Sequence, residues 1–266
     1  MLRLIFLKTL RDLRRSIFWW CIGMVLLGLY TILAFPTVKE SFEDLSPYLD
    51  NPLFKVFMRD FSTLTTIEGY LSIEIFSFVM PILSIIMSII YFSGLVGREE
   101  ERGSLELLLS LPLPRWRIAA EKVIAALVAM LIIHLAFWLS LWVGGLAIKI
   151  EADYFRISLA VWDSFLLGMV FGGLAFFITG LGYSPGVAGG ISGGLASAFY
   201  LMDAIGVTSK KFEPYRKLSL FYYYGGGRPM VEGINWGHAS LFIGLAILFI
   251  IVGILIFQRR DIRLKG

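Results

Sequence analysis

The chain has 266 residues, 58% of them hydrophobic and 17% charged, with a formal net charge of +4 and a mean hydropathy of +0.78. Soluble domains carry about 25% charged residues, so this composition excludes an ordinary water-soluble globular protein and points to a bilayer. Cys21 is the single cysteine and lies in an apolar run; it excludes an internal disulfide and reads as a packing residue.

A hydrocarbon core about 30 Å thick takes roughly 20 mainly apolar residues as helix. Six stretches qualify, at 16–35, 71–96, 123–147, 157–181, 186–207 and 237–257, and all 24 lysines and arginines fall outside them. The expectation is an all-α membrane protein, one transmembrane domain over 1–266 with six transmembrane helices. Ahead of the first span, Leu2, Ile5, Phe6 and Leu13 share a helical face opposite Lys8, Arg11, Arg14 and Arg15. That is the pattern of a helix lying in the membrane interface; a plain extension of the first span is the alternative. The first span is longer than the apolar part of a signal peptide, and FPTVKES after it lacks a small-residue cleavage pattern. Residues 36–70 hold Pro36, Pro47 and Pro52 and are net acidic, so they are expected to be mostly surface structure.

In the second span Ser77, Pro81, Ser84, Ser88 and Tyr91 recur at spacings of four and three and share one face. Their hydroxyls either bond within the helix bundle or line a pathway. The charged run after Gly97 follows, where Gly103 ends the charged extension and Ser104 can cap a new short helix. That helix covers about 105–111 and stops at Pro112 and Pro114. It presents Leu105, Leu108 and Leu109 between charged rims at Glu99–Arg102 and Arg115/Arg117. Such a surface suits protein docking; a helix lying on lipid with Trp116 as anchor is equally compatible.

Four ionisable residues lie in or near the spans. Glu74, Asp163 and Asp203 fall toward helix ends, and His134 near mid-membrane, where a neutral, hydrogen-bonded imidazole is inexpensive. The fifth span repeats Gly186, Gly190, Gly194 and Ala198 every four residues, and the fourth offers Gly168 and Gly172 at the same spacing. Joined by TGLGYSPG, the two spans are expected to pack as a tight hairpin, with sliding along the stripe during a transport cycle as a further hypothesis. In 208–236 the string LSLFYYYGGGRPM suggests interfacial aromatics, Phe221–Tyr224 and Trp236, with short membrane-dipping helices or a plain loop.

With the N-terminus inside, 14 Lys and Arg residues are inside and 10 outside, although Lys210, Lys211, Arg216, Lys217 and Arg228 make the last outer loop basic. Both termini are therefore expected in the cytoplasm. The chain has no Gly-Lys dipeptide and hence no phosphate loop, no HExxH motif, and only two histidines. No catalytic residues, bound metal, cofactor or nucleic-acid partner are expected of it.

REEERGSLELLLSLPLPRWRIAAEK resembles the loop between spans two and three of type-2 ABC exporter permeases, with Glu99, Gly103, Ser104, Glu106, Leu108, Leu109, Pro112, Arg115 and Lys122 on its pattern. IFQRRDIRLKG is similar to the closing motif of that family, though the final loop lysine sits one residue closer to the arginine. The resemblance implies a six-span permease in the cell membrane with an N-terminal interfacial connecting helix. Its cytoplasmic coupling helix, carried by Glu99, Glu101, Gly103–Glu106, Leu108, Leu109, Pro112 and Arg115, would seat on a separate ABC ATPase that holds ATP and Mg. It also implies a second permease subunit, identical or not, with Ser77, Ser84, Ser88 and Tyr91 as candidate pathway lining. An ion-coupled secondary carrier using Glu74, His134, Asp163 or Asp203 is the rival reading, and a non-transporting membrane scaffold a third. Nothing in the residues selects a substrate.

Overall fold

The computed structural model describes residues 4–49, 65–101, 103 and 113–260. Among these residues six helices are long and apolar enough to cross a membrane. They are α1 (Leu4–Leu49), α3 (Val79–Glu101), α4 (Arg115–Ala147), α5 (Tyr154–Gly180), α6 (Pro185–Thr208) and α9 (Trp236–Arg259). The short α2 (Ile67–Leu71) and a π-helical turn (Ser72–Phe76) precede α3. A 3-10 turn (Glu213–Leu218), α7 (Leu220–Tyr223) and α8 (Arg228–Glu232) fill the connection between α6 and α9. Local chemistry sets several of the starts. Asp153 accepts from the Arg156 N–H at 3.0 Å, Ser184 precedes Pro185 at the first position of α6, and Asn235 accepts from the Gly237 N–H at 3.0 Å.

Two expected boundaries move. The amphipathic segment is not a separate element, because residues 4–15 run into the first span within one unbroken 46-residue helix. No helix breaker stands near Arg15, and even Pro36, expected to open a loop, is accommodated inside α1. At 1.5 Å per residue α1 is about 69 Å long, more than twice the hydrocarbon thickness, so its ends pass beyond the apolar layer at any ordinary tilt. The second difference is at Ser77. It caps the π-helical turn, its Oγ donating to the Ser72 carbonyl at 2.6 Å, and thus lies outside the regular helix that carries Ser84, Ser88 and Tyr91.

The bundle is organised around α5, which has 83% of its apolar window buried and packs on α3 and α9; α1 lies along α4. Water exclusion does not drive helices together in lipid, so close backbone approach must. A Cβ on Gly168 would stand 2.9 Å from the Ser84 carbonyl oxygen, and one on Gly172 3.0 Å from Phe92 and Ser88. Both glycines therefore seat α5 against α3, not against α6 as the hairpin expectation had it. α5 meets α9 in the same way, a Cβ on Gly180 standing 2.9 Å from the Gly253 carbonyl oxygen. The stripe on α6 is different: Gly190 and Gly194 have no atom within 4 Å of a built Cβ, and Gly186 has only Ser184 Oγ at 3.9 Å. Only 17% of the apolar window of α6 is buried.

Candidate functional site at the loop base

The segment 104–112, where a short helix is expected from the sequence and which carries Ser104, Leu105, Glu106, Leu108, Leu109 and Pro112, lies outside the described residues, but its two supports are described. On one side α3 continues as helix through Arg98-Glu99-Glu100-Glu101, and Gly103 turns the chain with φ +68, its N–H donating to the Glu100 carbonyl at 3.2 Å. On the other, α4 begins at Arg115, with Arg117 in its first turn. Carboxylates at a helix C-terminus and guanidinium groups at an N-terminus both oppose the helix dipole. Their placement has a tertiary reason.

Glu99 forms an ion pair with Lys122 of α4, whose ammonium also donates to the Leu95 carbonyl at 2.7 Å. Lys122 is 4% exposed, so this charge survives only because both partners are there. Lys8 of α1 approaches the other Glu99 oxygen at 3.7 Å. Glu100 pairs with Arg260, just past α9. Arg260 Nη1 donates to the Thr179 carbonyl at 3.1 Å, while its own carbonyl accepts from Arg115 Nη1 at 2.8 Å. Glu121 closes the set, accepting from Arg117 Nε at 3.3 Å and from the Phe6 N–H at 3.3 Å. Both roots of the loop are thus tied to each other and to α1, α5 and the end of α9. Glu101 is exposed and Arg115 acts through the Arg260 carbonyl. Close beside them, a Cβ on Gly97 would stand 2.6 Å from Pro185 Cγ, so the start of α6 sits hard against the end of α3.

The other candidates have different surroundings. Ser84, Ser88 and Tyr91 are buried in contacts within the chain. Ser88 Oγ donates to the Ile85 carbonyl at 2.9 Å, and the Tyr91 hydroxyl meets Ser16 Oγ at 3.1 Å. His134 Nδ1 lies 2.8 Å from the Met130 carbonyl, which can only accept; Nε2 therefore accepts from Ser84 Oγ at 2.7 Å. Both ring nitrogens are satisfied by packing partners, as a structural histidine requires. Asp203 binds Arg216 Nε at 2.9 Å, which gives one residue of the basic 208–236 segment a partner. Asp163 Oδ2 accepts from the Gly225 N–H at 2.8 Å, and Glu74 is exposed on the π-helical turn. At the same end of the bundle the Tyr224 hydroxyl donates to the Phe76 carbonyl at 2.7 Å and lies 2.8 Å from Ser164 Oγ. The aromatic string is therefore partly core: Phe221 and Tyr224 are buried, whereas Trp236 is 75% exposed. Residues 190–194, GISGG, have the spacing of a hydrolase nucleophile elbow. They lie inside α6 and not on a strand-to-helix turn, with Ser192 buried.

Glu121, Arg260 and Lys8 are participants that the sequence did not single out for the site, and Glu100 figured there only as part of the charged rim. Their only signal was that charges of opposite sign gather at the ends of three apolar spans. No curated protein matches the chain. A family model described as ABC-2 family transporter protein matches residues 3–262, which include both roots of the loop and Arg260. The chain belongs to that ABC-2 transporter family and is a multi-pass membrane permease, a transport component rather than a catalyst.

Proposed function

We propose that this permease is the membrane-spanning half of an ATP-driven exporter. The energy comes from a separate ABC ATPase, which holds ATP and Mg and docks on the 98–122 loop. A second permease subunit completes the pathway, and both termini lie on the ATPase side, in the cytoplasm. The observation that carries this reading is the ionic bracing of the loop roots. A loop held at both ends to α1, α5 and the end of α9 transmits a push to the spans, where a loosely tethered one would absorb it. Burial of Ser84, Ser88 and Tyr91 supports a packing role for them in this conformation, and the partnered states of His134, Asp163 and Asp203 favour ATP over ion coupling.

The test is co-purification of the full chain with co-expressed ABC ATPases. Leu108→Asp is expected to lower ATPase recovery by on the order of tenfold or more, as for a central apolar docking residue, with helix content unchanged. ATPase retention by that variant, or transport persisting with no ATPase present, would overturn the proposal.

A further inference from the structure

A cavity of about 390 Å³ opens between α1, α3 and α4 at the level of the loop roots. Its lining changes character along the membrane normal. Leu13, Tyr91 and Leu95 form the deeper wall, and Lys8, Asp12 and Arg98 lie at the charged end. The apolar run of α3 ends at Val96, so the transition falls where the hydrocarbon gives way to headgroups.

Glu99 and Lys122 neutralise each other in the floor, and Lys8 leans on the same carboxylate at 3.7 Å. Arg98 has neither an ion pair nor a hydrogen bond among the described residues. Its side chain folds back along α3 over Gly94, where a Cβ would lie 2.9 Å from Arg98 Nε. The missing side chain at 94 is what lets the guanidinium lie along the cavity wall. Among the described lining residues three cations face two carboxylates, an excess of one positive charge.

We infer that this cavity holds the headgroup of an anionic phospholipid from the leaflet on the loop side, with Arg98 and Lys8 on the phosphate and the glycerol end of the acyl chains against Leu13 and Leu95. A basic pocket between spans at headgroup level is suited to that ligand, and the guanidinium fork matches phosphate oxygens. The volume lies within the range of ordinary small-molecule sites. The inference needs only the membrane placement of the chain and does not rest on the ATPase reading.

The probe is phosphatidylglycerol against phosphatidylcholine. The full chain is reconstituted in mixed bilayers and re-extracted in neutral detergent, and the retained lipid is quantified by mass spectrometry. Wild type is expected to retain phosphatidylglycerol in preference, with retention about fivefold weaker in Arg98→Gln and weaker again when Lys8→Gln is added. Phosphatidylcholine should be unaffected. Should either variant fail to fold, the wild type is washed at rising ionic strength, which is expected to release the anionic lipid. The inference is overturned by a folded double variant that keeps its phosphatidylglycerol, or by salt-insensitive retention. It is equally overturned if inorganic phosphate protects the chain against heating as well as the lipid does, since the ligand would then be free phosphate.

Discussion

Lys122→Met is expected to destabilise the protein by about 3 kcal/mol, the lower end of the range for breaking a buried ion pair. The ammonium it removes is 4% exposed and serves two partners, Glu99 and the Leu95 carbonyl. Without it Glu99 loses its closest cation, the Lys8 ammonium at 3.7 Å being the looser contact. Methionine fills similar space, so the loss comes from weakened compensation of a largely buried carboxylate and not from a void. Combining Lys122→Met with Glu99→Gln should recover much of the stability, because the carboxylate that lost its closest cation goes with it. Thermal unfolding in detergent of the two single variants and the double variant measures the coupling directly. Additive effects of the two substitutions would show that the pair contributes nothing as a pair.

The second large effect separates two glycines that look alike in the sequence. Gly168→Leu should prevent α5 from seating on α3, since even a methyl group there lies 2.9 Å from the Ser84 backbone oxygen. Overpacking of this kind costs about 1–3 kcal/mol for modest additions, and leucine adds far more. Gly190→Leu should leave the stability of the protomer unchanged, because nothing stands within 4 Å of its Cβ position. Any loss of activity or of self-association in Gly190→Leu would then belong to a neighbouring subunit. Unfolding curves for both variants, with co-precipitation of differently tagged copies, tell the cases apart. Equal destabilisation by the two substitutions would contradict the placement of the stripe on an open face.

These residues also show how far the sequence could be read. The six spans were legible because lipid demands an uninterrupted apolar length, and 16–35 and 237–257 fall inside α1 and α9. The ends were not legible. Arg98–Glu101 and Arg115–Lys122 are helical beyond the hydrocarbon, where hydropathy no longer reports on helix. The interruption at Ser72–Phe78 was hidden in the same way, since an apolar string does not say which turn its backbone adopts. Four-residue spacing correctly marked Gly168 and Gly172 for close approach but could not say that the partner was α3. At the loop, the residues of the motif were visible one by one. Their pairing was not, because Glu99 and Lys122 are 23 positions apart and Glu100 and Arg260 are separated by 160.

The contact between Gly97 and Pro185 has a mechanical consequence. A proline ring is among the least compressible groups a helix start can offer, and it rests on bare backbone where a Cβ would already be within 2.6 Å. No soft side chain lies between them to take up slack. A displacement of the end of α3 toward α6 therefore reaches the first turn of α6 almost without loss, as one gear tooth meets the next. Among the six long helices α6 has the least burial in this protomer, so such a displacement would meet little resistance there.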